Sequence, residues 1–156
     1  MNAPAEVHAK SIAANTLRLA LGLGCDRGTP ATTVADAIDA ALAEVAARYP
    51  GAAFTVDAVA SIDLKADEAG LLALAADRGW KIAFHPAVTL AEVAVPNPSE
   101  TVLRHTGTPS VSEAAALVAA GSASAPAPMA QLLVEKLRLR GPDGRNATVS
   151  IARMFP

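Results

Sequence analysis

The segment from Leu17 to Gly28 constrains the fold more than any other part of the chain. Its first half places a leucine at every second position, at Leu17, Leu19, Leu21 and Leu23, which is the two-residue period of a β-strand. The stretch GLGCDRGTP follows, and apolar residues then recur at helical spacing from Val34 to Val45. Thr29 is a plausible N-cap for this helix, with Pro30 at its first position. A strand that leads through a glycine loop into an amphipathic helix predicts an α/β unit.

The same pattern recurs along the next part of the chain. A strand is predicted through AVASID (58–63), a helix around Leu71 to Ala75 that ends near Gly79, and a third strand through WKIAF (80–84) that His85-Pro86 breaks. Strands separated by helices pair in parallel through right-handed crossovers. A short helix from Ser99 and a second helix across 107–121 are predicted to follow.

The C-terminal part changes character. LLVEKLRLR and NATVSIARM alternate on either side of GPDG, the pattern of an antiparallel hairpin. The predicted fold is therefore an α/β three-layer sandwich with a mixed sheet, parallel in its N-terminal part and closed by the hairpin. With 156 residues, the chain has the length of one domain, predicted at 17–156 after a flexible tail at 1–16.

Composition excludes several classes of protein. One cysteine permits no internal disulfide, and the sequence shows neither a secretory signal nor an apolar run of about 18 residues. A net charge of −2 with five aromatic residues of the Phe, Trp and Tyr types provides neither the positive field nor the stacking platform of a nucleic-acid binder. We expect a cytoplasmic protein without nucleic-acid or membrane partners.

The loops after the first two strands are the predicted site. Ligands of open α/β sheets bind outside the carboxyl ends of the strands, where GLGCDRGTP and SIDLKADE lie. Gly24 and Gly28 permit close backbone approach. The spacing of Gly22, Gly24 and Gly28 is one residue too long for a dinucleotide fingerprint, and no lysine follows Gly28 as in a phosphate loop. A tight turn without a ligand is the structural alternative.

Single residues leave alternatives open. Cys25 is either a nucleophile, with His85 or His105 as its base, or a small buried residue. No spacing of His and Cys indicates a metal site, and no cofactor is expected. Lys65 and Glu68 either pair at the surface or take part in binding.

Two acidic sites have structural explanations of their own. Glu113 fits a capping box with Ser110, which would give its carboxylate a purely structural role. Asp36 and Asp39 lie on the polar side of the first helix and are interpreted as solvated.

Cations are concentrated in the predicted hairpin. This segment contains two acidic residues, Glu135 and Asp143, and five basic residues: Lys136, Arg138, Arg140, Arg145 and Arg153. They form either a solvated sheet face or a surface that recognises a polycarboxylate, for which arginine is suited.

These motifs together resemble a known family. Six segments occur in a fixed order over residues 17–153: GLGCDRGT, SIDLKADEAGLLALA, NPSETV, SVSEAAALVAAG, LLVEK and ATVSIAR. In this order they are similar to the CobE and CbiG C-terminal domain family of cobalamin biosynthesis. Asp26 stands where the family often has a first basic residue after the cysteine, and Arg27 keeps the second.

The resemblance implies a protein of the corrin pathway, in a form like the stand-alone CobE. Its ligand would be a precorrin or a tetrapyrrole of the hydrogenobyrinic acid type, a flat ring with carboxylate side chains. As a hypothesis, one cleft at the strand ends is lined by Gly24, Cys25, Arg27, Gly28, Lys65, Glu68, Glu113 and Lys136. Full-length CbiG opens a precorrin lactone, but it has additional N-terminal sequence that this chain lacks.

Three functions follow from the resemblance. The protein binds or carries a precorrin, or it hydrolyses a precorrin lactone with Glu68 or Glu113 as candidate catalytic residues, or it is a non-catalytic partner of other pathway enzymes.

Overall fold

A computed structural model describes residues 16–155. Five strands form one sheet in the order β3-β2-β1-β5-β4: β1 (Leu17–Cys25), β2 (Phe54–Ile62), β3 (Ile82–His85), β4 (Leu132–Arg140) and β5 (Asn146–Met154). Strands β1, β2 and β3 are parallel, whereas β5 runs antiparallel to both β1 and β4. The predicted mixed sheet with a C-terminal hairpin is confirmed.

Helices cover both faces of this sheet: α1 (Ala31–Arg48), α2 (Ala69–Arg78), α3 (Ala87–Ala91), α4 (Glu100–Thr106) and α5 (Val111–Ala120). Helices α1 and α2 pack on one face, and α5 packs on the other. The result is the predicted three-layer arrangement. None of the described helices combines the length and hydrophobicity needed to cross a membrane.

Strand β1 lies at the centre of the sheet, and its two faces meet different layers. Its leucines join the core beneath α1 and α2, together with Val34 and Ile38. Ala20 belongs to the opposite core beneath α5, and Gly22 on the same face lies against the α5 backbone. The alternation of leucine with Ala20 and Gly22 along β1 therefore directs large side chains towards α1 and α2 and small residues towards α5.

Several predicted boundaries are wrong, each for a local reason. Thr29 does not cap α1, because its hydroxyl donates to the Asp26 carbonyl at 2.8 Å, and Pro30, still extended, is the residue before the helix. Strand β3 begins two residues later than predicted, since the Trp80 N–H bonds back to the Ala75 carbonyl beyond the end of α2.

Two further boundaries differ. The helix predicted over 107–121 begins only at Val111, because Gly107 adopts φ +82 at the end of α4. Strand β2 starts at Phe54, four residues before the predicted strand. The predicted tail at 1–16 lies outside the described residues except for Thr16.

Candidate functional site

A cavity of about 910 Å³ lies where β1 and β2 end. Its floor includes Gly24 and Cys25 of β1, and Leu64 and Lys65 contribute from the turn after β2. Other walls come from helix α4, the first turn of α5, and the paired strands β4 and β5. The fold thus brings together the two loops predicted as the site and adds walls from the C-terminal half.

The cavity is rich in positive charge. Four cationic side chains line it, those of Arg27, Lys65, Lys136 and Arg138, against the single carboxylate of Asp26. That carboxylate is engaged, since it accepts from the backbone N and the amide Nδ2 of Asn146 at 2.7 and 3.1 Å. Anionic ligand groups would therefore meet a surplus of cations.

The four cations differ in how far they are already engaged. Within residues 16–155, the side chains of Lys65 and Arg138 make no hydrogen bond and no ion pair with another residue. The Lys136 Nζ reaches only the Asn97 carbonyl, at 3.4 Å. These three side chains keep donors for a ligand.

Arg27, by contrast, clamps the glycine loop to the turn after β2. Its guanidinium donates to Asp67 at 2.8 Å and to the Leu64 carbonyl at 2.7 Å, and lies 3.4 Å from Glu68. Hydrogen bonding with Arg27, reinforced by its charge, lowers the pKa of the Asp67 carboxyl. Arg27 and Lys65 thus share one cavity, as the single-cleft hypothesis requires.

Gly28 and Glu68 are held to each other beside the cavity and do not line it. Gly28 has φ +78, and its N–H donates to the Glu68 carboxylate at 3.2 Å. Glu68 is 5% exposed and forms no ion pair with Lys65 in the described structure. Of the two alternatives for Lys65 and Glu68, the surface pair is therefore not formed, because Glu68 turns inward to the glycine loop.

Glu113 also lies outside the set of lining residues. It is fully buried, and its two carboxylate oxygens accept from the N and Nδ2 of Asn97 at 3.1 and 2.7 Å. The Ser110 hydroxyl makes no capping bond and has no partner among the described residues. The predicted capping box is wrong, because the chain around Asn97 supplies the donors that Glu113 accepts.

Cys25 lines the cavity as a protonated thiol. Burial raises the pKa of this thiol to about 11 and has a larger effect than any neighbouring charge. At neutral pH little of the thiol is therefore ionised, whereas a nucleophile needs the thiolate. His105 on α4 lines the same cavity, whereas His85 does not. No cluster of three or more His, Cys, Asp or Glu side chains suited to a metal ion occurs within residues 16–155.

The hairpin cations divide between two roles. Lys136 and Arg138 reach the cavity, but Arg145 donates to the Arg27 carbonyl at 2.9 Å and pairs with Asp143. Arg153 lies over the ring of Phe155. Of the five hairpin cations, the cavity is therefore lined by two, Lys136 and Arg138 of β4.

Sequence reasoning missed the walls contributed by α4 and β5. Val102 lies in the NPSETV segment and His105 is a candidate base for Cys25, but the sequence does not predict either as a wall of the cavity. Thr148 faces Gly24 across the β1–β5 pair. A Cβ on Gly24 would lie 2.6 Å from the Thr148 hydroxyl. The pairing of the hairpin with β1, which no local sequence pattern specifies, brings Thr148 to the site.

The family is decided by comparison with known proteins. A family model described as "Cobalamin synthesis G C-terminus" matches residues 19–152. The chain belongs to this family. The match covers every residue that lines the cavity, so the resemblance of the motifs is confirmed over nearly the whole described chain.

Two curated relatives carry different names. The chain is 34% identical over 134 residues to "Cobalt-precorrin-5A hydrolase" of Priestia megaterium, covering 86% of this chain and 32% of that protein. It is 45% identical over 105 residues to "Protein CobE" of Sinorhizobium sp, covering 66% of each. The chain thus spans about a third of the length of the hydrolase and just under two thirds of the length of the CobE protein.

Solved structures of the family have the same fold. A crystal structure of CobE, "a protein from the cobalamin (vitamin B12) biosynthetic pathway", superimposes with a TM-score of 0.70 at 34% identity, covering 89% of this chain and 92% of that one. The cobalamin biosynthesis protein chiG from Agrobacterium tumefaciens gives a TM-score of 0.51 at 34% identity, covering 88% and 99%. The protein is thus a member of a cobalamin biosynthesis family.

Proposed function

We propose that this protein binds a precorrin or a hydrogenobyrinic-acid-type tetrapyrrole in the cavity at the ends of β1 and β2. The observation that carries the proposal is the convergence of four cations on one cavity in a chain whose net charge is −2. Carboxylates are the ligand groups that such a set of Arg and Lys donors favours. A tetrapyrrole with acetate and propionate side chains presents several carboxylates at its rim.

The apolar part of the lining supports the same class of ligand. Leu64, Val102 and Val111 contribute hydrocarbon surface, and Gly24 brings bare backbone to the floor. The volume lies at the upper end of the roughly 300–1,000 Å³ that small-molecule pockets span. A flat macrocycle can contact the apolar surface while its carboxylates reach the cations.

Hydrolysis of a precorrin lactone is the second candidate, favoured by the 34% identity to the cobalt-precorrin-5A hydrolase. The contacts of the two candidate carboxylates argue against it. Glu68 accepts from Gly28 and lies near Arg27, and Glu113 accepts from Asn97, so neither carboxylate faces the cavity as a free base. Binding without bond cleavage is therefore the function that we favour.

Titration of the purified protein with hydrogenobyrinic acid tests the proposal. We expect saturable changes in the visible absorption of the pigment, with an affinity that falls as salt is raised because charges carry much of the interaction. Flat titrations with this pigment and with precorrins would refute it. Hydrolysis adds water across the ester bond of a lactone, so a changed pigment mass after a single-turnover incubation with a lactone-bearing precorrin would favour the hydrolase instead.

A further inference from the structure

One wall of the cavity is formed by residues 97–106, which include helix α4 and are called the α4 wall below. Ser99, Thr101, Val102, His105 and Thr106 of this segment line the cavity. Helix α4 nevertheless contains no buried residue. Its position therefore depends on few packing contacts, a property typical of segments that open locally.

Asn97 connects the α4 wall to the rest of the fold. Its N and Nδ2 donate to Glu113, its Nδ2 also lies 2.9 Å from the Glu135 carboxylate, and its carbonyl accepts from Lys136. Across residues 16–155, every hydrogen bond that joins the α4 wall to helix α5 or to the sheet is made by Asn97. The remaining bonds of the wall, such as Ser99 N to the Pro109 carbonyl at 2.8 Å, stay within the surrounding loop.

The partner of Asn97 is a carboxylate that cannot easily be left alone. Glu113 is fully buried and forms no ion pair within the described chain. A buried carboxylate without donors is strongly unfavourable, and two N–H donors from one residue satisfy it. Breaking the contact would cost both the hydrogen bonds and the solvation of the charge.

We propose that Glu113 is a positioning residue that, through Asn97, fixes the α4 wall and hence the width of the cavity. This inference depends on the proposed function only for the identity of the ligand in the cavity. On the opposite side of the Asn97 contact stands β4, whose Lys136 and Arg138 line the cavity. The Glu113–Asn97 contact, together with the bonds of Asn97 to Glu135 and Lys136, thus sets the distance between the α4 wall and two of the cations that would bind the ligand.

The test exchanges donor and acceptor. All variants at these two positions are made in a Glu135→Ala background, because the Glu135 carboxylate also accepts from Asn97. Asn97→Asp alone then places a second carboxylate against Glu113, whereas Asn97→Asp combined with Glu113→Gln lets the new amide at position 113 donate to the new carboxylate at position 97. In Asn97→Asp, we expect backbone amide hydrogen exchange in residues 99–106 to accelerate by at least about tenfold, the factor that corresponds to losing a hydrogen bond to a buried charge. Exchange in β1 and β5 should stay as in the wild type, and the double variant should restore slow exchange in the wall.

Pigment binding provides a second signal that loss of stability alone would not produce. At saturating hydrogenobyrinic acid, the bound absorption band of Asn97→Asp should differ in position from the wild-type band, and the double variant should recover it. Asn97→Ala serves as a further variant, because it removes the side-chain donor without adding a charge and leaves the backbone N–H that donates to Glu113. Gln131→Glu is the matched control, because the Gln131 amide donates to the Arg153 carbonyl away from this cavity.

Three outcomes would overturn the inference: unchanged exchange in the wall of Asn97→Asp and Asn97→Ala, equal acceleration in the wall and in β1 and β5, or failure of the double variant to restore the wall. The exchange experiment needs no pigment. A wild-type protein that binds no tetrapyrrole would therefore refute the proposed function, while the exchange data would still decide whether Glu113 holds the wall.

Discussion

Gly22 of the central strand lies directly against the Ser112 carbonyl of helix α5. A Cβ added to Gly22 would lie 1.8 Å from that oxygen and 2.5 Å from the Ala116 nitrogen. Both neighbours are backbone atoms of one helix, so the helix as a whole would have to move. The close approach also places the first turn of α5, with Val111 and Ser112, at the cavity.

Gly22→Ala should therefore destabilise the protein by at least about 3 kcal/mol, the upper part of the range for overpacking. Gly79→Ala is the matched control, because a Cβ at Gly79 meets open space but the residue has φ +70. It should cost only about 1 kcal/mol. Urea unfolding of both variants measures the difference. Because Gly22 lies in a regular strand without positive φ, equal losses would show that α5 shifts to admit the Cβ at little cost.

The strand and helix order could be predicted because it depends on local patterns. Leucine alternation in β1 and the apolar spacing of α1 are set by which side chains must be buried, and they identify the elements without knowledge of their neighbours. Helix starts were less predictable. Thr29 and Ser110 each fit the N-cap preference, yet Thr29 bonds to the Asp26 carbonyl, and Ser110 holds the N-cap position of α5 without a side-chain capping bond.

The site could be predicted only in part for the same physical reason. Gly24, Cys25, Arg27 and Lys65 meet because parallel strands end at one edge of the sheet, which the sequence order implies. Glu68 and Glu113 were expected in the cavity but are bonded beside it to Gly28 and Asn97. Their partners are 40 and 16 residues away, and no local pattern specifies contacts of that kind.

The raised pKa of Cys25 predicts a loss of stability in alkaline solution. Burial raises this pKa from 9.0 to about 11 in the folded protein, so between these values the folded state holds a proton that the unfolded state releases. Stability is thus fully present below pH 9 and falls as the pH rises towards 11. Urea unfolding from pH 8 to 11 should show a steeper decline for the wild type than for Cys25→Ser; parallel declines would contradict the shift.

Cys25→Ser should also retain pigment binding. The thiol is protonated at neutral pH and serves as a small half-buried group in the floor, and a hydroxyl of similar size leaves the cations in place. Absorption titration with hydrogenobyrinic acid should give an affinity within about threefold of the wild type, the usual scatter for near-isosteric changes below 1 kcal/mol. Loss of binding in Cys25→Ser would make the thiol a ligand contact.

The cations without internal partners should carry much of the ligand affinity. Lys65→Ala and Arg138→Ala each remove a charge that lines the cavity, and each should weaken pigment binding by about fivefold, equivalent to about 1 kcal/mol for a partly screened charge. Lys81→Ala is the control, since Lys81 is exposed, immediately precedes the first residue of β3, and does not line the cavity at the other end of the strands. Equal affinities for all three variants would remove the electrostatic basis of the proposal.

Arg27 poses a sharper question, because it both lines the cavity and clamps the glycine loop. Arg27→Ala removes the charge and the clamp, whereas Asp67→Ala removes the principal partner of Arg27 and leaves the cation in place. If Arg27 binds a ligand carboxylate, Arg27→Ala should weaken pigment binding by about tenfold, in the range of a charge-assisted hydrogen bond.

Asp67→Ala should in that case bind pigment as tightly as the wild type or more tightly, because the freed guanidinium gains donors for the ligand. Absorption titration of both variants at low salt provides the comparison, with Arg78→Ala as the control, since Arg78 pairs with Asp39 away from the cavity. An equal loss of affinity in Arg27→Ala and Asp67→Ala would show that Arg27 acts on the ligand only by holding the glycine loop against the turn after β2.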